Sequence, residues 1–146
     1  MSSETNKTVS RRFFEEVFSK GNLAVADQII LKDQVNSGPG NPPGLLPGLE
    51  GTKQLVTMYR NAFPDVHFTI DEQLAEGDKV MTRWTAHGTH QGELAGIPAT
   101  GKSSTVTGIV VDRLVNGKIA ESWGIFDEFG MMQQLGVIPV PELAVK

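Results

Sequence analysis

The chain contains no cysteine, few histidines and no long apolar run. Without cysteine it can form no disulfide, thiol nucleophile, iron–sulfur cluster or cysteine-ligated zinc site. The histidines, His67, His87 and His90, lack a short metal-ligand spacing, so we expect neither a metal ion nor another cofactor. No segment approaches the length of a membrane span, so we predict no membrane partner.

Positive charge is also scarce. Lysine and arginine total 13 residues against 17 aspartates and glutamates, and the formal net charge is −4. We therefore predict that the chain does not bind nucleic acid. The first residues have no apolar stretch typical of a secretion signal, so we expect a cytoplasmic protein. We assign residues 1–146 to one domain, because this length is sufficient for one hydrophobic core.

Helical patterns dominate the first part of the chain. Apolar residues recur at helical spacing in three segments, and a brief strand is predicted after the second. These segments are helices over Lys7–Lys20, Leu23–Ile30 and Glu50–Ala62, and a strand over Lys32–Asn36. Residues Ser37 to Gly48 contain four prolines and four glycines, which predicts a loop that forms a lid or a pocket rim.

Strand patterns dominate after Pro64. Hairpin signals at Glu76–Lys79 and at Val115–Lys118 separate β-branched and alternating segments. We predict strands over Val66–Leu74, Val80–His90, Ser103–Leu114 and Ile119–Asp127, and a short terminal helix. In the first of these strands, Val66, Phe68, Ile70 and Leu74 are expected to share one face. Helices followed by an antiparallel sheet indicate an α+β fold. A sheet bent around the helices would form a cone-shaped barrel with an apolar, ligand-sized interior.

Several motifs resemble the SnoaL-like polyketide cyclase family, which has the nuclear-transport-factor-2-like fold. The matching segments are Gly88–Gly101, Asn116–Ile119, Glu121–Trp123, Asp127 and Gln134–Gly136, in the family's order and spacing. The resemblance implies N-terminal helices packed in a curved mixed or antiparallel sheet, and a homodimer formed through the outer sheet face. It also implies a small apolar substrate or ligand with a polyketide-like carbonyl group.

The same resemblance leaves the reaction open. Members of the family include cyclases that act by intramolecular aldol condensation and cofactor-free hydroxylases. The wider fold also includes epoxide hydrolases, a steroid isomerase and non-catalytic binding modules, so fold alone does not select an activity. The position of the aldol cyclases' catalytic aspartate corresponds to Gly124, and that of their pocket histidine to Val110. An asparagine after the first strand matches at Asn36.

Asp127 is the first candidate for catalysis. A carboxyl group at a strand end beside Trp123 and Phe126 could exchange protons if its surroundings were apolar. The structural alternative is that Asp127 caps the helix that follows it.

Arg83 is the second catalytic candidate, and its role depends on which face of its strand is internal. Arg83 and His87 share one face with Met81 and Thr85, while Trp84 lies on the other. If the face of Arg83 is internal, Arg83 could bind a substrate oxyanion and His87 could line the pocket rim. If that face is external, Arg83 is a solvated or dimer-interface residue.

The remaining candidates are substrate-binding residues. Asn36 could donate a hydrogen bond to a substrate carbonyl, or could be an ordinary turn residue. The predicted pocket wall, or otherwise simply core, consists of Tyr59, Phe63, Trp84 and Trp123.

Three functional hypotheses remain. The favoured hypothesis is a cofactor-independent enzyme in which Asp127 exchanges the proton and Asn36 and Arg83 polarise the substrate oxygen. The first alternative is a non-catalytic small-molecule-binding module, because both cyclase positions are apolar. The second is a hydrolase of the epoxide type, which needs acidic partners around Arg83.

Overall fold

The computed structural model describes residues 2–141, and its elements follow the predicted order. A π-helical segment, Phe13–Phe18, continues the first helix. The helices are α1 (Ser3–Arg12), α2 (Leu23–Ile29), α3 (Gly48–Ala62) and α4 (Glu128–Gln134). The strands are β1 (Ile30–Ser37), β2 (His67–Glu76), β3 (Lys79–Thr89), β4 (Ser103–Val115) and β5 (Lys118–Phe126).

The strands form one curved sheet in the order β1-β5-β4-β3-β2. β1 pairs with β5 in parallel, and all other neighbours are antiparallel. Both predicted hairpin turns are present. At the second of them, Asn116 and Gly117 have φ angles of 50° and 79°, the left-handed values that such a tight turn requires. The prediction of an α+β fold with a mixed sheet is confirmed.

The core lies between the helices and the inner face of the sheet. Alternation along each strand directs one set of side chains inward, and Val17, Val56 and Val80 are fully buried there. Among residues 2–141, no helix is long and apolar enough to cross a bilayer.

One expectation about β2 was wrong. The sequence placed Leu74 on the same face as Phe68 and Ile70, but Leu74 is 58% exposed. The pairing with β3 shifts between Ile70 and Glu72, which marks a β-bulge. An extra residue in one strand reverses the faces of all later side chains, so Leu74 lies on the outer face.

The π-helical segment positions aromatic side chains over the sheet. Its wider turn appears in the hydrogen bond that Ser19 N donates to Phe14 O at 2.9 Å, across five residues. Phe14 and Phe18 pack against Phe68 of β2 with ring centroids 5.5 and 4.5 Å apart. This segment therefore forms one wall of the interior of the cone.

Candidate functional site

A cavity of about 160 Å³ lies inside the cone, and its walls are mostly apolar. The π-helical segment, α3 and the inner faces of all five strands contribute side chains to it. Ser37, Gly40 and Asn41 also line it, so the start of the proline-glycine segment forms part of the wall, as the prediction of a pocket rim required. Cavity walls that are mostly apolar favour small apolar ligands.

Five aromatic side chains that line the cavity form a closed cycle of contacts, which we call the aromatic belt. Its members are Phe18, Tyr59, Phe68, Trp84 and Phe126. Their ring centroids lie between 4.5 and 6.4 Å apart around the cycle. Because such rings are rigid and polarisable, the belt offers flat surfaces to a ring-containing ligand.

Gly108 explains how Trp84 can occupy its place in the belt. Gly108 lies on β4 and pairs with Trp84 on one side and Phe126 on the other. A Cβ atom at Gly108 would overlap the indole of Trp84. The missing side chain therefore lets Trp84 lie across β4 toward Phe126.

The main polar group of the cavity is the carboxyl of Asp112. Asp112 lies on the inward face of β4 and is 3% exposed. Ser10 Oγ donates a hydrogen bond to Asp112 Oδ2 at 2.8 Å, and Ser122 Oγ donates one to Oδ1 at 2.6 Å. No ion pair involves Asp112 within residues 2–141. A buried carboxyl without a cationic partner is costly to ionise.

This setting changes the acidity of the carboxyl. Burial raises the pKa of Asp112 from 3.8 to about 6, although the hydrogen bonds from Ser122 and Ser10 favour the charged form and oppose the rise. Asp112 can therefore gain and lose a proton near neutral pH. This range suits a general acid or base.

A chain of hydrogen bonds, which we call the polar chain, leads from Asp112 along one side of the cavity. Gln34 Nε2 donates to Ser122 Oγ at 3.0 Å, and Thr52 Oγ1 donates to Gln34 Oε1 at 2.6 Å. Asn36 Nδ2 in turn donates to Thr52 Oγ1 at 3.1 Å. Each donor thus points toward Asp112, so the polar chain holds the orientation of Ser122.

The hydroxyl of Tyr59, a member of the aromatic belt, is a second polar group of the site. Burial raises the pKa of Tyr59 well above its usual value, so its hydroxyl stays protonated. No hydrogen bond from this hydroxyl to another group is present among residues 2–141. The hydroxyl is therefore available to donate to a ligand oxygen.

Asp127, the predicted catalytic acid, does not line the cavity. It is exposed and forms the N-cap of α4, where its Oδ1 accepts a hydrogen bond from Gly130 N at 2.9 Å. The structural alternative, a helix cap, is confirmed. The physical reason is strand parity: Ser122, Gly124 and Phe126 face inward, which directs Asp127 outward.

Arg83, the other predicted catalytic residue, lies on the outer face of β3. It is exposed and forms ion pairs with Glu72 at 3.3 Å and Asp71 at 3.8 Å. Acidic partners of the kind that an epoxide hydrolase needs are thus present, but outside the cavity. Arg83 and Asp127 are therefore not brought together at the cavity.

Two predicted substrate-binding residues have side chains turned away from the interior. Trp123 is 47% exposed on the outer face of β5, which corrects its assignment to the pocket wall. His87 is among the residues bordering the cavity, but its ring is exposed and its Nδ1 lies 3.0 Å from Thr105 Oγ1. The other candidates, Asn36, Tyr59, Phe63 and Trp84, all line the cavity, and their contact with a ligand stays a prediction.

The other two histidines lie elsewhere. His90 is fully buried and its ring packs against Phe63 with centroids 5.4 Å apart. Its Nδ1 accepts a hydrogen bond from Thr100 N at 3.2 Å. His67 is exposed at the start of β2. Across the described part of the chain, no group of three or more potential ligand side chains could hold a metal ion.

The sequence reasoning missed Asp112, Ser122 and Gln34, the polar residues that matter most in the cavity. One signal could have revealed Asp112. It shares strand parity with Val106, Gly108 and Val110, so it is an acid on the apolar face of a buried strand.

The protein therefore belongs to the class of cone-shaped α+β barrels that have a mostly apolar interior cavity with a few buried polar groups. The family model for SnoaL-like polyketide cyclases matches residues 8–135. The chain belongs to this family.

Named relatives and solved structures are also similar to this chain. The chain is 30% identical over 129 residues to aklanonic acid methyl ester cyclase DauD from Streptomyces sp. (strain C5), covering 87% of this chain and 80% of the relative. TsrD from Streptomyces laurentii superposes with a TM-score of 0.85 at 25% identity, covering 94% and 99% of the two chains. IdmH from Streptomyces antibioticus superposes with a TM-score of 0.79 at 33% identity, covering 90% and 99%.

Proposed function

We propose that this protein is a cofactor-independent enzyme that transfers protons to and from a small, apolar, carbonyl-containing substrate, and that Asp112 is the acid–base group. The observation that carries this proposal is a buried carboxyl in the wall of an aromatic cavity, with no cationic partner among residues 2–141. Asp112 replaces Asp127 in the mechanism expected from the sequence. The proton-transfer class of chemistry is unchanged.

The energetics support a base at Asp112. In an apolar cavity the carboxylate has no bulk water to stabilise its charge, so it is a stronger base than an exposed aspartate. Removal of a proton next to a carbonyl group moves negative charge onto the carbonyl oxygen. The Tyr59 hydroxyl and the Asn36 amide lie in the same cavity and can donate hydrogen bonds to that oxygen.

The substrate class follows from the walls. The belt favours planar rings, and a polar group on the substrate would find partners along the polar chain and at Tyr59. The relative DauD is named as a cyclase of a methyl ester, aklanonic acid methyl ester. A polyketide-like compound that carries a carbonyl group combines both properties.

A second candidate function is non-catalytic binding of the same class of ligand. It is favoured by the apolar character of Val110 and Gly124, which line the cavity where related aldol cyclases are expected to have polar groups. It is also favoured by the hydrogen bonds that already occupy both oxygens of Asp112. This alternative predicts ligand binding without proton exchange.

Hydrogen–deuterium exchange of a model ketone separates the two functions. We would incubate 2-tetralone with the protein in deuterated buffer and follow its α-protons by NMR. The enzyme function predicts accelerated exchange that increases with pH through about 6, where Asp112 loses its proton. Asp112→Asn is expected to lose at least about 100-fold of the acceleration.

The matched control is Asp127→Asn, which changes an exposed carboxyl outside the cavity. It should exchange 2-tetralone as the wild type does. Equal exchange by the wild type and Asp112→Asn would refute the role of Asp112. If Asp127→Asn loses exchange while Asp112→Asn retains it, the acid–base group would be Asp127 and not Asp112.

We also propose that the protein forms a homodimer through the outer face of the sheet. Leu74, Ile109, Trp123 and Ile125 are exposed on this face, and Ile109 pairs directly with Ile125. Met81 and Val111 connect them, because Met81 pairs with Leu74 and Val111 with Trp123. Contiguous apolar patches of this kind commonly mark protein–protein contacts.

A further inference from the structure

Gln34 is a buried amide in the cavity wall, one hydrogen-bonded residue away from Asp112. It lies on β1 and is 4% exposed, so its amide needs partners inside the protein. Its Nε2 donates to Ser122 Oγ at 3.0 Å, and its Oε1 accepts from Thr52 Oγ1 at 2.6 Å. The amide therefore connects α3, through Thr52, to the serine that donates to Asp112.

The orientation of the Gln34 amide decides where the Ser122 hydroxyl donates. The amide nitrogen occupies one lone pair of Ser122 Oγ, and the only hydroxyl hydrogen of Ser122 goes to Asp112 Oδ1. A reversed amide would present its oxygen to Ser122 and would compete with Asp112 for that hydrogen. The reversal would also leave the hydroxyl hydrogen of Thr52 without its acceptor in a buried site, which is costly.

Thr52 fixes this orientation from the other side of the amide. Thr52 is 2% exposed, and its Oγ1 accepts a hydrogen bond from Asn36 Nδ2, a group that can only donate. The hydrogen of Thr52 is then directed to Gln34 Oε1. The polar chain therefore has one favoured direction, from Asn36 to Asp112.

We propose that Gln34 is a positioning residue for the acid–base reaction: held by Thr52, its amide keeps the Ser122 hydroxyl directed at Asp112 Oδ1. This inference rests on the proposed function and extends it to a residue that acts through Ser122. Without the amide, the Ser122 hydroxyl is free to rotate. The charged form of Asp112 then loses part of its hydrogen-bond stabilisation.

The first test removes the amide. Gln34→Met keeps a similar length but cannot donate a hydrogen bond to Ser122. The pH midpoint of Asp112 would be measured in two ways, by carbon-13 NMR of its carboxyl and from the pH dependence of 2-tetralone exchange. Both midpoints should rise by about half a pH unit in Gln34→Met, because the charged carboxyl is less well stabilised. Unchanged midpoints would overturn the inference.

Charge is the same in every variant of this series, so the midpoint reports hydrogen bonding. Among residues 2–141, the other titratable side chains that line the cavity are Tyr59 and His87, and both are retained. Arg113, the residue after Asp112, forms an ion pair with Glu121 on the outer face of the sheet, and this pair is also retained.

A double-mutant cycle shows whether Gln34 acts through Ser122. Ser122→Ala removes the hydroxyl that the amide orients and should itself raise the midpoint. Adding Gln34→Met to Ser122→Ala should then change the midpoint by less than about 0.2 pH unit, because the two residues act in one network. A further rise of about half a pH unit in the double variant would show that Gln34 acts on Asp112 by another route and would overturn the inference.

Thr52 supplies a second test that leaves Gln34 and Ser122 in place. Thr52→Val removes the hydroxyl that fixes the amide, so the midpoint should rise as it does in Gln34→Met. Thr52→Ser retains the hydroxyl and should titrate within about 0.2 pH unit of the wild type. Equal midpoints in the valine and serine variants would overturn the inference, and this pair decides the question should Gln34→Met not fold.

The matched control is Gln73→Met. Gln73 Nε2 donates to Lys7 O and to Thr82 Oγ1, and Gln73 does not line the cavity. This variant also loses amide hydrogen bonds, so it should be less stable but should titrate as the wild type does. A midpoint shift as large as that of Gln34→Met would show a general effect of lost amide bonds and would overturn the inference.

The two readouts separate this inference from the proposed function, because the carboxyl titration requires no turnover. A wild type that does not exchange 2-tetralone would overturn the proposed function, while the carboxyl midpoints would still show whether Gln34 orients Ser122 toward Asp112. Exchange by the wild type, with midpoints that Gln34→Met and Thr52→Val leave unchanged, would overturn the role of Gln34 alone.

Discussion

Replacing Asp112 with asparagine should stabilise the folded protein at neutral pH. The folded state holds the proton of Asp112 more tightly than the unfolded chain does, because burial raises the pKa from 3.8 to about 6. Each pH unit of that rise is worth about 1.4 kcal/mol, so the buried charge costs roughly 3 kcal/mol above pH 6. Asparagine removes the charge and keeps a similar shape, and either serine hydroxyl can rotate to accept from its amide.

The sign of the pH dependence follows from the same two pKa values. Between pH 3.8 and about 6 the unfolded chain loses this proton while the folded protein retains it, so the wild type becomes less stable as pH increases. Above pH 6 both states are ionised and the difference stays constant. The variant should therefore match the wild type near pH 4 and exceed its unfolding free energy by roughly 3 kcal/mol at pH 8.

Urea denaturation at several pH values measures this difference. At pH 8 the midpoint of Asp112→Asn should be at least about 1 M urea higher than that of the wild type. The control is Asp65→Asn. Hydrogen bonds from Thr89 N and Oγ1 lower the pKa of Asp65, so its stabilisation is present above its ordinary pKa and is lost as pH falls. This variant should be destabilised at pH 8. A destabilised Asp112→Asn at pH 8 would refute the assigned burial cost.

Three other predictions concern separate parts of the molecule. Tyr59→Phe should fold as the wild type does, because the Tyr59 hydroxyl forms no hydrogen bond among residues 2–141. It should bind 2-tetralone several-fold more weakly in an NMR titration, because the hydrogen bond to the ketone is lost, and equal affinity would contradict this ligand contact. Ser122→Ala removes a donor from Asp112 and should raise the pH midpoint of ketone exchange, whereas an unchanged midpoint would show that this hydrogen bond does not tune the carboxyl. Trp123→Lys should convert a dimer to a monomer in light scattering, and a wild type that is already monomeric would contradict the proposed interface.

Periodicity predicted the elements of this fold well. Helical spacing located α1 to α3, and the Asn116-Gly117 signal located the hairpin between β4 and β5. The register of β2 was not predictable in the same way. A bulge between Ile70 and Glu72 leaves no composition signal, and it reversed the face of Leu74.

The site was harder to predict, because parity alone does not say which face of a strand is internal. Arg83 and Trp84 are adjacent and point in opposite directions, and only the packing of Trp84 against Phe68 and Phe126 selects the internal face. Asp127 was predicted to be catalytic because it ends a strand next to aromatic residues. The same strand-end position makes it a helix cap. The buried environment of the Asp112 carboxyl includes contacts with Ser10 and Ser122, which are distant in the chain, so the sequence alone does not reveal it.

The most direct measurement is an NMR titration of the Asp112 side-chain carboxyl carbon, assigned by its absence in Asp112→Asn. We predict a midpoint near pH 6, and a change in that midpoint when 2-tetralone occupies the cavity, because the ligand alters the surroundings of the charge. A midpoint near 4 that is unaffected by the ketone would contradict the assignment of Asp112 as the acid–base group of the cavity.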